Sequence, residues 1–253
     1  MKLFFCTNSA SMLTSSKRLL FKAIDSALAT SFFEVFLVFD GVGSELGLGG
    51  RDVCVIEHRH RLHDVLVNTS RRDIAGFNTI ISGTFLRTEI PFLCAQRGFT
   101  DEFALYCDYD VLFNKTDFSG LLDIRPEVFA VAPESRQDDF KYFNTGVMLM
   151  NLKSLLRDDR VIRSHILKNV EKLQVFDQSM YNRLYGLKYS RLPVEYNWKP
   201  YWGINPDAKI IHFHGAKPLA VEPPERSVIK EVADLREINA AGYNFYNKLW
   251  DGF

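Results

Sequence analysis

Asp108 and Asp110 stand two residues apart, immediately behind the apolar run "FALYC" (103–107). On an extended segment, residues i and i+2 point to the same side, so the two carboxylates can converge on one point. Side by side they repel, and desolvating either is costly unless something cationic compensates. Carboxylate oxygens suit Mg2+ or Mn2+, which complete their shells with water and substrate phosphates. A cap, a turn or a pair of solvated acids would explain the same spacing. A second constellation lies far downstream, in "IIHFHGAKP" (210–218), where His212 and His214 flank Phe213 and are followed by Gly215 and Lys217. Neutral imidazole joins carboxylates around Mn2+ more readily than around Mg2+. Gly215 lets the backbone approach a phosphate closely, and Lys217 supplies a compact positive charge. A strand end with surface histidines and a Gly-Ala-Lys-Pro turn is the competing reading.

Three further groups carry weaker signals. In "YFNTGVMLMNL" (142–152), Asn144, Thr145 and Gly146 precede an apolar strand. Their amide and hydroxyl groups can bind sugar hydroxyls, yet Asn-Thr-Gly is also ordinary turn chemistry. In "FDQSMYNRLY" (176–185), Asp177 and Gln178 open a helix, where Asp serves equally well as an N-cap. Arg87, in "TFLRTEIP", is read on a helix as pairing with Glu89 or Glu102. The basic stretch "EHRHRLH" (57–63) has spacings of neither a zinc finger nor H-E-x-x-H, and is read as a solvated loop or edge. No G-x-S-x-G elbow, phosphate-binding P-loop or cysteine-nucleophile signature is present.

The elements that must position these groups alternate along the chain. "KLFFC" (2–6) reads as a buried strand, 17–31 as an amphipathic helix and "FFEVFLVFDG" (32–41) as a second strand. Strand, helix and strand in that order form a βαβ unit of a parallel sheet. Further strands are expected at 52–58, 103–107, 128–134, 146–152 and 209–215, with a helix at 84–98 that Pro91 interrupts. The Gly-rich 41–50 is a loop out of register for a dinucleotide fingerprint. The pattern predicts one α/β domain over 1–253, with a core over 1–218 and a helical extension over 219–253. Ligands of such sheets bind beyond the carboxyl ends of the strands. Asp108 and Asp110 stand there behind 103–107, and Thr7 and Asn8 stand there behind 2–6.

Bulk properties exclude several classes. Of 253 residues, 47% are hydrophobic and 25% charged, ordinary globular values that rule out disorder and fibres. Lys+Arg and Asp+Glu both total 31, so the basic excess that nucleic-acid binding needs is absent. Cys6, Cys54, Cys94 and Cys107 lie far apart without C-x-x-C spacing and are read as buried free thiols of a reducing compartment. "MKLFFCTNSA" is too short in its apolar stretch for a signal peptide, and no run suits a spanning helix. The expectation is a cytoplasmic protein. The aromatic end "YNFYNKLWDGF" leaves two readings, peripheral membrane contact or a packed terminal helix.

In order, the D-x-D behind an apolar strand, "FNTGVMLMNL", the Asp-Gln pair and the late H-x-x-G with Lys-Pro make the chain resemble the family 8 glycosyltransferases. The resemblance covers about residues 2–218. It implies a single Rossmann-like GT-A domain, with a mostly parallel mixed sheet flanked by helices. It also implies transfer of a hexose from a UDP-sugar to a glycan or other hydroxyl acceptor, with retention of configuration and with Mn2+, Mg2+ being the alternative. Carried over by position, Asp108, Asp110 and His212 become the metal ligands, with His214 as the alternative histidine. Thr7 and Asn8 face the uridine, and Tyr109 lies on the donor side. Arg87, Asn144, Thr145, Asp177 and Gln178 surround the donor sugar, Gln178 positioning or stabilising and Asp177 orienting. Gly215 and Lys217 contact the diphosphate. The family's late motif usually reads H-x-x-G-x-x-K-P-W; here Lys217 comes one residue earlier and Leu219 replaces the Trp. An inverting transferase would instead need a carboxylate base, for which Glu134, Asp138 and Asp139 are available. A non-catalytic sugar-nucleotide or glycan-binding module is the third reading.

Overall fold

The computed structural model describes residues 1–69, 77–173, 176–186, 188–221 and 235–253. Its strands are β1 (Lys2–Asn8), β2 (Glu34–Asp40), β3 (Val53–Glu57), β4 (Phe103–Cys107), β5 (Val111–Phe113), β6 (Phe129–Pro133), β7 (Phe143–Asn151), β8 (Ser190–Arg191) and β9 (Ile210–His212). Its helices are α1 (Ser9–Met12), α2 (Ser16–Ala29), α3 (His63–Val67), α4 (Phe77–Phe85), α5 (Ile90–Gln96), α6 (Leu152–Asn169), α7 (Phe176–Tyr185) and α8 (Ala240–Gly252).

Seven strands form one sheet in the order β3-β2-β1-β4-β7-β6-β8. The β1–β2, β2–β3, β1–β4 and β6–β8 pairs are parallel, while β7 runs antiparallel to both β4 and β6. The sheet is therefore mixed and mostly parallel, as expected. Buried on both faces, its central strands read as continuous apolar runs rather than alternating ones. In β1, Phe4 and Cys6 pack with Ile81 of α4, Leu93 of α5, Ile162 of α6 and Met180 of α7. Leu3 and Phe5 point the other way, into a cluster with Leu20, Ala23 and Ile24 of α2. Each fully buried Leu or Phe contributes about 1.5–3 kcal/mol, so packing on the two faces is what holds the strands in place.

The reversed β7 matters most for function. The carboxyl ends of β1, β2 and β4 share one edge, and antiparallel pairing brings the beginning of β7 to that same edge. Cys107 pairs with Val147, and the Asp108 N–H donates to the Gly146 carbonyl at 2.7 Å. A second, two-stranded sheet joins β5 to β9 and pairs Val111 with His212.

Several boundaries differ from the sequence reading. Asn144–Gly146 lie inside β7 rather than before it, and Thr7 and Asn8 lie inside β1. The helix expected over 84–98 is broken: α4 ends at Phe85, a 3-10 turn spans Leu86–Glu89, and α5 begins at Ile90. Pro91 is not the breaker; it sits in the first turn of α5, where its missing N–H leaves no hydrogen bond unmade. β9 is shorter than its apolar run, which leaves His214 and Gly215 beyond it. β5 and β8, of three and two residues, are too short to show a periodicity of their own. All four cysteines are unpaired, but Cys54 on the outer strand β3 is exposed, against the expectation that all were buried.

Candidate functional site

The edge where β1 and β4 end and β7 begins carries the acidic pair. Asp108 and Asp110 meet His212 there, with one ligand atom of each lying within 4.8 Å of the others. His212 Nε2 is 3.2 Å from Asp110 Oδ1 and 4.0 Å from Asp108 Oδ2. The other ring nitrogen, Nδ1, lies 2.8 Å from Asn197 Oδ1. Lys217 Nζ donates to Asp110 Oδ2 at 2.5 Å. Burial opposes the charge on Asp110, yet Lys217 and His212 hold its carboxyl far below the usual carboxylate range. Burial likewise works against the Lys217 ammonium, and Asp110 keeps it charged.

A buried cation sits beneath the pair. Arg87, placed by the 3-10 turn, donates through Nη2 to Asp108 Oδ1 at 2.9 Å and through Nη1 to the Thr145 carbonyl at 2.5 Å. Its Nε is 2.7 Å from Asp177 Oδ2, and its guanidinium lies over the Tyr106 ring. Desolvation disfavours this charge, but Asp108 and Asp177 hold the guanidinium cationic. Asp177 is not an N-cap: α7 starts at Phe176, and the buried carboxyl faces Arg87. Burial pushes its pKa up to about 7 against the pull of Arg87. Gln178 Oε1 accepts from the Thr145 N–H at 3.0 Å. Its buried Nε2 has no hydrogen-bond partner among the described residues, and neither does the buried Thr7 Oγ1. An open cavity of about 360 Å³ adjoins this cluster, with Thr7, Ser11, Arg87, Asp108, Tyr109 and Lys217 on its walls.

The donor set fits a divalent cation. At separations under 4.8 Å, two carboxylates repel by at least about 3 kcal/mol at an effective dielectric near 20. Among the described residues, Asp108, Asp110 and Asp177 share the two cations Arg87 and Lys217, and because the Asp177 pKa stands at about 7 the cluster carries up to one negative charge in excess. Asp110 Oδ1 is buried without a hydrogen bond and points at an imidazole nitrogen. Two carboxylate oxygens and one imidazole nitrogen are a hard, Mn2+-compatible set that leaves positions for substrate oxygens.

The family model for glycosyl transferase family 8 matches residues 84–218, more than half of the chain. The chain belongs to glycosyltransferase family 8. The fold is similar to that of the apo-form glycosyltransferase GlyE of Streptococcus pneumoniae TIGR4, at 19% identity and a TM-score of 0.63, over 99% of this chain but only 63% of that one. It is also similar to the galactosyltransferase LgtC in complex with donor and acceptor sugar analogues, at 18% identity and a TM-score of 0.65, covering 94% and 95% of the two chains. Mouse xyloside xylosyltransferase 1 in its apo form follows at 15% identity and a TM-score of 0.57, over 85% of this chain and 98% of that one. No curated protein matches the sequence. The architecture is thus that of the GT-A glycosyltransferases.

Within this family 8 fold, the residues singled out in the sequence divide into two groups. Asp177, Arg87, Asp108, His212, Asp110 and Lys217 form one continuous run of contacts, in which Arg87 and Lys217 make the ion pairs and the His212 ring bridges the two aspartates. Gln178 and Thr145 adjoin it through hydrogen bonds. Asn8 is turned elsewhere: its Oδ1 accepts from the Ser11 N–H and caps α1, and its Nδ2 donates to Ser82. Asn144 is engaged on both sides, with Glu134, Gln178, Asn197 and the Gly146 N–H. His214 leaves the acidic pair for Glu134 at 3.1 Å and the Tyr201 hydroxyl at 3.1 Å. Gly215 takes φ +77°, a left-handed turn that favours glycine. Arg87 pairs with neither Glu89 nor Glu102, which lie outside its reach on the turn and before β4. Asn197 and Tyr106 are the site residues that sequence reasoning missed, and Gly146 was read only as part of a turn. Asn197 sits in "EYNWKP", whose spacing to His212 becomes visible only once Trp198 bridges to Ile211.

Proposed function

We propose that this chain transfers a hexose from a UDP-sugar to a hydroxyl of a glycan or another acceptor, with retention, using Mn2+ held by Asp108, Asp110 and His212. The convergence of those three side chains at the strand ends is the observation that carries the reading. When bound, the cation would act as a Lewis acid for the diphosphate leaving group. Lys217 would add a fixed positive charge for that diphosphate, and Gly215 would admit its oxygens to the backbone. Thr7 and Tyr109, on the cavity wall, would face the uridine end. Arg87 would hold Asp108 and Asp177 in place while screening their mutual repulsion. Gln178, fixed through Oε1, would offer its Nε2 donors to the donor sugar or the departing oxygen. Asp177 would orient the sugar. We also take 1–253 to be one functional unit in a reducing, cytoplasmic setting, since its four cysteines are unpaired.

The inverting alternative has less support. Glu134 is held down to about 2 against its burial by His214 and Asn144, and both of its oxygens are occupied. Asp138 is exposed and tied to Arg136. A matrix of UDP- and GDP-sugars with and without Mn2+, read first by thermal shift and then by transfer to glycan acceptors, tests the proposal. The expected result is a Mn2+-dependent shift with a UDP-hexose and an NMR-assigned product of retained anomeric configuration. Asp108→Ala should abolish turnover and leave the melting curve cooperative. Unchanged turnover in that variant would sink the metal role, an inverted product would sink retention, and binding without any turnover would favour the non-catalytic module.

A further inference from the structure

A bare nitrogen facing Asp110 is not what an isolated imidazole would choose. With a carboxylate oxygen 3.2 Å from Nε2, a neutral ring left to itself would protonate Nε2 and donate to Asp110. That proton would occupy the position a metal needs, because a ligating imidazole must present a lone pair. Something else must therefore fix the ring's single proton on Nδ1.

The hydrogen bonds behind His212 do this in a fixed direction. Glu134 carries an ionised carboxylate, an acceptor, and takes a hydrogen bond from Asn144 Nδ2 at 2.7 Å. The Gly146 N–H, a donor only, gives one to Asn144 Oδ1 at 2.9 Å. Anchored at both ends by groups that cannot reverse, Asn144 has one amide orientation. Its Oδ1 is 2.9 Å from the Asn197 side chain, so Asn197 must present Nδ2 there and turn Oδ1 toward His212. That Oδ1 lies 2.8 Å from His212 Nδ1 and can only accept. Glu134 is half-buried, whereas Asn144, Asn197 and His212 expose 2% or less of their surface. Water cannot substitute for a missing partner there without a cavity to hold it.

We infer that Asn197 is a positioning residue whose carboxamide keeps the proton of His212 on Nδ1 and so leaves Nε2 bare toward Asp108 and Asp110. The inference rests on the metal reading above, but the tautomer itself is read on metal-free protein. Outer partners of this kind orient a metal-ligating histidine and typically change affinity about 10–100-fold when removed. In this arrangement Asn144 and Glu134 act one and two links further back. The turn-like "NTG" near the start of β7 and the "YN" before Trp198 thereby become parts of one relay.

The test combines a ring-nitrogen measurement with metal binding, on the full chain. Histidine-15N-labelled protein, metal-free and well above the ring's titration, is examined by NMR, with His212→Ala assigning the His212 signals. The expected spectrum has a protonated Nδ1 and an unprotonated Nε2. Asn197→Ala should move the proton to Nε2 and weaken Mn2+ binding, read by calorimetry or EPR, by about 10–100-fold. Asn197→Asp keeps an acceptor toward Nδ1 but sets a carboxylate against Asn144 Oδ1. It should therefore lose stability, retain the Nδ1–H form and bind Mn2+ more tightly than Asn197→Ala does. A merely structural asparagine would instead have both variants losing stability and affinity together. A wild-type ring protonated on Nε2 overturns the inference, as does an Asn197→Ala protein with unchanged tautomer and unchanged Kd. If Asn197→Ala does not fold, the wild-type tautomer and the Asp variant still decide. If the wild type shows the Nδ1–H ring yet binds no Mn2+, the metal reading fails while the positioning role of Asn197 stands.

Discussion

A methyl group added to Gly146 would stand 2.2 Å from His212 Cε1 and 2.9 Å from Asp108 Oδ2. Glycine is therefore required here by the imidazole packed against the strand, not by any unusual backbone angle. Gly146→Ala should cost about 1–3 kcal/mol by overpacking and displace the ring from the acidic pair. A calorimetric titration would then find Mn2+ bound at least about 10-fold more weakly, and wild-type affinity would refute the contact. The two histidines give a second residue-scale test. His212 faces Asp108 and Asp110, whereas His214 is committed to Glu134 and Tyr201. His212→Ala should remove Mn2+ dependence, and His214→Ala should leave most of it; the opposite order would exchange their roles. At this scale the acidic pair and His212 were legible because a strand-end D-x-D and a late H-x-x-G have positional meaning. Gly146 was not legible, since its constraint is set by a side chain that joins it only through tertiary folding.

Among the elements, the turn that carries Arg87 depends on a network the sequence disguised as surface charge. "EHRHRLH" looks like a solvated edge, yet His60 is buried and Arg61 Nε donates to the fully buried Glu89 at 2.6 Å. Arg61 Nη2 also pairs with Asp159 of α6 at 2.5 Å, and His58 reaches Glu89 at 2.9 Å. The loop after β3, the 3-10 turn and α6 are thus joined through Arg61, which pairs with Glu89 of the turn and Asp159 of α6. A charge run cannot reveal this, because Glu89 lies inside an apolar helical pattern and its partners arrive from another element. Burial opposes the charge of Glu89, yet His58 and Arg61 lower its pKa from 4.5 to about 2. Its stabilisation is complete above the unfolded value and is lost as pH falls through the folded one. His60, neutral by burial, has its pKa lowered from 6.5 to about 4, so between those values the unfolded chain binds the extra proton. Both effects have the same sign. Melting temperature should fall as pH drops from 6.5 toward 4, and fall further below 4.5 as Glu89 begins to contribute. Glu89→Gln should lower stability at neutral pH by on the order of 3 kcal/mol and flatten the acid limb below 4.5. An acid limb of unchanged steepness in that variant would show that Glu89 is not the titrating group.

For the whole molecule, the fold was readable where strands are long and buried, and unreadable where an element exists only through its partners. β1, β2 and β4 announce themselves by apolar runs, and β9 lies within the run read at 209–215, but β5, of three residues, holds its place by pairing with β9 and by α8. That dependence ties the C-terminal helix to the site. Tyr243, Tyr246 and Trp250 are buried against Leu112, Ile211 and Phe213, the strands that carry His212. Arg18 and Lys22 of α2 lie over the Trp250 ring, and Asn247 Oδ1 accepts from the Leu219 N–H at 3.0 Å. Of the two readings of "YNFYNKLWDGF", the packed helix is the one this burial favours, and no described helix is long and apolar enough to cross a membrane. The aromatic residues of α8 are not equivalent, however, because Phe245 is 38% exposed while Trp250 is 1% exposed. Trp250→Ala should cost about 3–5 kcal/mol and lower the melting temperature by about 10 °C, with Mn2+ affinity falling as β9 loosens. Phe245→Ala should change the melting temperature by no more than a typical surface substitution, within about 0.5 kcal/mol. Equal losses in the two variants would mean that α8 does not clamp β9. A helix that only touched a membrane would show the reverse, with Phe245 controlling vesicle binding and neither residue controlling stability.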